Sequence, residues 1–350
     1  MTETMRFGTR RVGKGVPALL IAEIGVNHNG SARLAERLVK AAAAAGADAV
    51  KFQLFKSEML ATSSASTAPY QKRRTRDTSQ LTMLKKLELP VRVLARMRDL
   101  AARLKMEFFA SVFDEESLKD AVGLRCAAVK LGSGELTNTP LIEKAARTGR
   151  PVVLSLGMST RRDVDRAVRA VRRSGCRDLL LLHCVSAYPA PDAGLNLLKI
   201  PALRRRYRAR AGFSDHSIGT VAALGAVALG ACAVEKHFTL DRSLPGPDHK
   251  ASSTPAEFGT FVTAVRRLES ALGRPDAACS PAELEMRRFA RKSIVAARPI
   301  PRGTVITRPM LACKRPGTGI PPFEIGRVVG RRTLRDLAAD VLLGWDVLED

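Results

Sequence analysis

Aromatic side chains, acidic side chains and long apolar runs are what this 350-residue chain is short of. It has one Trp and three Tyr, so the flat platforms on which unpaired bases stack are scarce. Against 58 Lys and Arg stand 34 Asp and Glu, a formal net charge of +24. Such an excess can serve nucleic acid, a membrane surface or a small anionic substrate. The basic residues are spread along the chain, and the denser groups, Arg204-Arg205-Arg206 and Arg331-Arg332, read as helix faces or edges. With aromatics so few, the expectation is a solvated Arg-rich surface and no nucleic-acid partner. No apolar run approaches the roughly 18 residues of a membrane span, so no membrane association is expected. Residues 1–16 are polar and basic, without the apolar stretch of a secretory signal. None of the six cysteines forms a C-x-x-C pair, and several lie in apolar runs such as the one around Cys184. They read as reduced core thiols, which places the protein in the cytoplasm.

What the chain has is repetition. Strand-like apolar segments fall at 18–25, 48–55, 107–113, 127–133, 152–157, 179–186, 211–215 and 233–238. Helical patterns fall at 31–45, 90–104, 140–147, 161–174, 195–208, 219–229 and 255–272. Ser31 is placed to cap the first helix and Gly46 to end it. This alternation predicts an α/β fold, a TIM (β/α)8 barrel. An open doubly wound sheet is the alternative, disfavoured by the number of repeats and by the lack of a Gly-rich fingerprint after the first strand. Residues 56–80 are polar and too long for a routine connection, which reads as a lid or binding loop. The rhythm stops after Leu272. The predicted organisation is a barrel domain at 1–272, a linker at 273–290 containing a short basic helix, and a small β-rich module at 291–350 with strands near 293–297, 299–303, 304–307 and 314–322.

In a TIM barrel the active site lies at the C-terminal ends of the strands. Polar residues crowd those ends here: Glu23, Lys51 and Gln53, Ser111, then Lys130, Ser133 and Glu135, Ser155, His183 and Tyr188, Ser214, Asp215 and His216, and Glu235, Lys236 and His237. Charges inside apolar strands are costly unless paired or used. His216 and His237 end neighbouring strands and can converge on a divalent ion with open positions; His28 and His183 compete for that role. Lys130, Ser133, Ser155 and Ser214 can converge on a phosphate. Lys51 can add a charge for a carboxylate.

Several longer stretches carry a resemblance: AEIGVNHNG from Ala22, GADAVKFQ from Gly46, GSGELTN from Gly132, FSDHSIG from Phe213, EKHFTLDR from Glu235, PGPDH from Pro245 and KRPGTGI from Lys314. In these the chain resembles the sialic acid synthases, including the legionaminic and pseudaminic acid synthases, over about 20–340. The resemblance implies a barrel followed by an antifreeze-like (SAF) domain, and condensation of phosphoenolpyruvate with an N-acetylated amino sugar. N-acetylmannosamine is the first expectation for that sugar and a diacetamido-trideoxyhexose the alternative. It implies that His216 and His237 bind a divalent ion, Mn2+ before Mg2+ or Co2+. It matches Lys51, Lys130, Ser133, Ser155 and Ser214 to phosphoenolpyruvate, Glu23 to the catalytic carboxylate with Lys51 beside it, and Gln53, Glu135, Tyr188 and Asp248 to the sugar. Arg315 matches an arginine sent into a partner's site, which implies a domain-swapped homodimer. One departure stands out: Ser186 and Ala187 lie where family members often carry Asn. The basic run Lys72-Arg73-Arg74 leaves open whether the sugar is phosphorylated.

Overall fold

The computed structural model describes residues 3–75 and 77–349, with the backbone alone at positions 70 and 73. It divides into two compact units, Met1–Leu272 and Gly273–Asp350.

The first unit opens with an antiparallel hairpin, β1 (Thr4–Phe7) and β2 (Arg10–Gly13). Eight parallel strands follow: β3 (Leu19–Gly25), β4 (Ala49–Leu54), β5 (Glu107–Val112), β6 (Val129–Leu131), β7 (Val152–Ser155), β8 (Leu179–Cys184), β9 (Arg210–Asp215) and β10 (Ala233–His237). They close into a barrel in the order β10-β3-β4-β5-β6-β7-β8-β9, which removes the open-sheet alternative. These strands are buried almost throughout, as expected where helices cover one face and the other fills the barrel. The helices are α1 (Ala32–Ala44), α2 (Ser57–Leu60), α3 (Pro69–Thr75), α4 (Gln80–Leu87), α5 (Val91–Arg103), α6 (Glu115–Gly123), α7 (Thr139–Arg147), α8 (Arg161–Arg173), α9 (Lys199–Tyr207), α10 (Val221–Ala228) and α11 (Pro255–Leu272). Ser31 caps α1 by accepting from Leu34 N, as its position predicts.

Three features depart from the sequence reading. Residues 1–16 are not merely a polar lead-in. Met5, Phe7 and Val12 turn into the core, and Phe7 meets Phe109 edge-on at 5.1 Å. The hairpin is tied to the first residues of the strands: Thr9 N donates to Glu107 at 2.7 Å, Arg10 pairs with Asp48 at 2.9 Å and Arg210 donates to the Thr4 carbonyl at 2.6 Å. It therefore covers the N-terminal end of the barrel. Helix α6 was not predicted; a capping box between Asp114 and Ser117 starts it. The 56–80 segment is not plain loop. It folds into α2, α3 and the approach to α4, and its Ala61 joins Met83, Leu84 and Leu87 of α4 in a cluster with Val26 and Phe55.

The second unit begins with α12 (Pro281–Ala290), started by a Ser280–Glu283 capping box inside the stretch read as linker. Strands β11 (Ser293–Ala296) and β12 (Leu311–Lys314) pair antiparallel, so the last strand lies before the predicted 314–322 rather than within it. The segments read as strands at 299–303 and 304–307 make only isolated bridges, through Ile300 and Val305. A separate core forms around Ile294, Ile306, Ile320, Val328 and Leu343.

Candidate active site

Strand register assembles the site. Glu23 lies beside Lys51 on one side and His237 on the other, Ser111 beside Lys130, and Ser214 beside Glu235. Side chains alternate along a strand, so 214 and 216 share one face, as do 235 and 237, while 215 and 236 take the other. Asp215 and Lys236 use that other face to pair with each other at 2.6 Å. Asp215 also accepts from the Ser217 amide at 2.9 Å and hydroxyl at 2.6 Å. They brace the turn that carries His216 and are spent structurally.

At the centre lies a buried four-charge cluster. Lys51 Nζ is 3.1 Å from Glu235 Oε1, 3.2 Å from Glu23 Oε2 and 3.1 Å from Ser111 Oγ, to which it donates. Lys130 Nζ is 3.6 Å from the same Glu235 oxygen, which also accepts from Ser214 Oγ at 3.1 Å. The four groups do not titrate alike. Burial lifts Glu23 to about 7, with Glu235 adding and Lys51 opposing. Burial works to raise Glu235 as well, but Lys130 and Lys51 outweigh it and hold the carboxyl at about 2. Burial lowers Lys130 to about 8, with Lys51 reinforcing and Glu235 opposing. For Lys51 burial is outweighed by the two carboxylates, and its pKa rises. The result is one firm ion pair, Lys51 with Glu235, flanked by an acid and a base each shifted toward neutrality, a pattern typical of sites that handle protons and anions.

Gly157 N donates to Ser133 Oγ at 3.0 Å, and a Cβ at Gly157 would come within 2.3 Å of Ser186 Oγ and 2.8 Å of Ser133 Oγ. The position favours glycine because two serine hydroxyls crowd it. Ser155 is buried at the end of β7. Ser133, Ser155 and Ser214 thus sit at the ends of or just past β6, β7 and β9.

The two histidines come together, with ring centroids 5.4 Å apart. His216 Nδ1 lies 2.8 Å from the Val185 carbonyl; a carbonyl only accepts, so Nδ1 carries the proton and Nε2 is left to act as a ligand. His237 Nδ1 is buried without a hydrogen-bond partner among the described residues, as is Glu235 Oε2. Orphaned buried polar atoms at one place call for a ligand. No group of three or more metal-type side chains occurs among the described residues, so this pair fits an ion completed by water or substrate oxygens. Of the rival histidines, His183 Nε2 meets the Leu195 carbonyl at 2.5 Å, whereas His28 accepts the Gly30 amide on Nδ1 at 3.1 Å and keeps a buried Nε2 with no hydrogen-bond partner among the described residues.

Tyr188 packs on both site histidines, at 4.2 Å from His216 and 5.8 Å from His237 between ring centroids. Asp248 is buried, which pushes its carboxyl up to about 6 against the pull of His216 and Arg74. Gln53 reaches Glu23 at 3.5 Å. Glu135 stands slightly apart on the turn after β6, accepting from Asn138 at 2.8 Å. Arg315 belongs to the second unit, where its Nε donates to the Ala290 carbonyl at 3.0 Å. In the basic run before α4, Arg74 donates to the Pro247 carbonyl at 2.7 Å, beside Asp248, while the Arg73 side chain lies outside the described residues. Sequence reasoning placed Glu235 and Ser111 at strand ends but gave neither a role. Glu235 is the shared counter-ion of both lysines, and Ser111 holds Lys51.

A closed (β/α)8 barrel with lysines, carboxylates, serines and a histidine pair gathered at the C-terminal ends of its strands has the architecture of a TIM-barrel enzyme. The NeuB family model matches residues 38–277 and the SAF domain model residues 291–349, and the chain belongs to the NeuB family of sialic-acid-type synthases. It is 40% identical to an N,N'-diacetyllegionaminic acid synthase of Legionella pneumophila, over 98% of each chain. It is 38% identical to the synthase of the same name from Campylobacter jejuni, over 93% of this chain and 98% of that one. The crystal structure of the N-acetylneuraminic acid (sialic acid) synthetase from Leptospira borgpetersenii superposes with a TM-score of 0.72 at 32% identity, over 81% of this chain and 94% of that one.

Proposed function

We propose that this protein joins phosphoenolpyruvate to the open-chain aldehyde of an N-acetylated amino sugar, with water, to give a nine-carbon 2-keto acid and phosphate. The observation that carries the reading is the buried Lys51–Glu235–Lys130–Glu23 cluster next to the His216–His237 pair. Lys51 and Lys130 bind the carboxylate and phosphate of phosphoenolpyruvate, and Ser133, Ser155 and Ser214 supply hydrogen bonds to the phosphate. A divalent ion held by His216 and His237, manganese first, would polarise the acceptor carbonyl as a Lewis acid. The methylene carbon of phosphoenolpyruvate forms the new bond with its π electrons, the acceptor C=O π pair moves onto its oxygen, which takes up a proton to become a hydroxyl, and positive charge develops at the enol carbon. Glu23, ionised, stabilises that charge; with its pKa near 7 it can take the proton from the water that adds there. Collapse of the tetrahedral adduct breaks the carbon–oxygen bond and expels phosphate. Gln53, Glu135, Tyr188 and Asp248 surround the acceptor. In a domain-swapped homodimer Arg315 of one copy would clamp the acceptor bound in the other. The protein works in the cytoplasm in this reading, with its thiols reduced.

For the acceptor, the names of the Legionella and Campylobacter synthases favour a 2,4-diacetamido-trideoxyhexose, and N-acetylmannosamine is the second reading. Ser186 and Ala187, shorter than the Asn often found there, are consistent with a reshaped acceptor pocket. The test is phosphate release from phosphoenolpyruvate with manganese and each sugar, with and without chelator. Chelator-sensitive release with the diacetamido sugar is the expected outcome. Release with N-acetylmannosamine alone reverses the order of acceptors, and none with either sugar overturns the reaction.

A further inference from the structure

The N-terminal end of the barrel carries a second concentration of charge. Below the first residues of β9 and the approach to β10, a cavity of about 480 Å³ opens between those strands, the end of α9 and the hairpin. Lys14, Arg204, Arg205, Arg208 and Arg210 line it, with Glu3 as the one acid among the lining residues. A neighbouring cavity of about 530 Å³ shares Ala209 and Arg210 and adds Arg172 and Arg177. Because the barrel strands are parallel, this is the end away from Glu23, Lys51 and the histidine pair.

The pairing of these arginines is uneven. On the same helix Arg206 is held by Asp165 at 2.8 Å. Arg204, Arg205 and Arg208 are exposed and make no ion pair among the described residues. Arg210 is buried at the floor, with the Thr4 carbonyl at 2.6 Å and Asp178 at 3.5 Å. Attraction to the C-terminal end of α9 accounts for cations on its last turn. Lys14, from the hairpin, is paired with Glu3 at 3.0 Å, and Arg210, from the strand, with Asp178, so the unmatched charge of the hollow is that of Arg204, Arg205 and Arg208. Three cations without an ion pair among the described residues, on one wall of a concavity, attract an anion into it. The volume lies in the range of roughly 300–1,000 Å³ usual for small-molecule sites, and guanidinium forks suit phosphate oxygens. Ala209, Ala211 and Gly230 leave the rest of the wall apolar or plain backbone.

We propose that this cleft binds a small polyphosphate group, free or carried by a nucleotide. The test is isothermal titration of the full-length protein with inorganic triphosphate and, separately, with ATP, in metal-free buffer at about 0.1 M salt, where exposed charges still interact. Saturable binding at one site is expected. The exposed pair change R204E/R205E weakens it by about tenfold or more, the effect of losing charge-assisted contacts, whereas K130M in the opposite mouth leaves it intact. Tighter binding of ATP than of triphosphate identifies the nucleotide as the source, and equal binding identifies the bare polyphosphate. Binding lost in K130M but kept in R204E/R205E overturns the proposal in favour of the active site. Absent or non-saturating binding overturns it outright. Stronger capture of a single-stranded oligonucleotide through the same arginines replaces it with a nucleic-acid surface.

Discussion

The two ends of this barrel hold charge in opposite ways. At the C-terminal mouth Lys51, Lys130, Glu23 and Glu235 are buried and nearly balanced, and each reshapes the titration of the others. At the N-terminal rim Arg204, Arg205 and Arg208 stand exposed and make no ion pair among the described residues. The net charge of +24 therefore says little about the chemistry. The residues that set reactivity cancel almost completely, and the excess that dominates the composition lies where solvent carries its cost. Burial, rather than the count of charges, distinguishes a site that moves protons from one that only attracts anions.

The comparison breaks most visibly at Glu23. Glu23→Gln keeps the shape and removes the charge, and phosphate release at saturating substrates should fall by about 10²–10³-fold, as for loss of one preorganised electrostatic contact. The KM for phosphoenolpyruvate should change little. Near-normal turnover would remove Glu23 from the mechanism and leave the mouth as a binding site alone. Next comes Lys51→Met, which takes the nearest cation from two buried carboxylates. A loss of about 3 kcal/mol in urea unfolding is expected, the cost of an uncompensated buried charge. A loss below about 1 kcal/mol would mean that Glu23, already near 7, takes up a proton and the cluster heals itself.

The rim has a fold-supporting ion pair of its own, and it should matter less. Asp48 accepts from Leu20 N at 2.9 Å and meets Arg10 at 2.9 Å and Arg266 at 2.5 Å. Both arginines are partly exposed. Asp48→Asn keeps an oxygen for the amide and gives up the charge, so the loss should be about 1 kcal/mol by the same unfolding measurement. A loss as large as that of Lys51→Met would make the two ends equivalent and undo the contrast.

Much of this was legible in the sequence, for reasons tied to particular residues. All eight barrel strands were found because a strand covered on both faces reads as an unbroken apolar run, as in Leu179–Cys184. The opening hairpin was missed because Met5, Phe7 and Val12 alternate with charged residues inside a basic segment, and their burial depends on strands far away in sequence. The 56–80 stretch was read by polarity, yet Ala61, with Met83, Leu84 and Leu87 just beyond it, finds a core in Val26 and Phe55 that no local pattern shows. The site residues were named from strand ends and motif likeness, and the barrel brings Glu23, Gln53, Lys51, Lys130, Ser214, His216, His237 and Tyr188 together. What the list did not separate was use from support. Strand parity offered the signal: with Ser214 and His216 facing one way, Asp215 had to face the other, and the same holds for Lys236 between Glu235 and His237.

The smallest expected effect is the sharpest test of the rim. Arg204→Gln/Arg205→Gln removes two exposed charges from the last turn of α9 and leaves a helix-compatible side chain at each. Two contributions oppose. The helix end loses a favourable cation, worth about 0.3–1 kcal/mol. The cleft loses like-charge repulsion with the exposed Arg208, of similar size at low salt. Stability should therefore shift by no more than about 0.5 kcal/mol. Raising the salt screens both contributions, so the residual should shrink as the Debye length falls to roughly 3 Å at 1 M. Urea unfolding at low and high salt reads this directly. A loss above about 1 kcal/mol that persists in salt would show that these arginines hold the fold through packing of their stems. A near-zero change, beside a clear loss of triphosphate binding, leaves attraction of an anion as what they contribute.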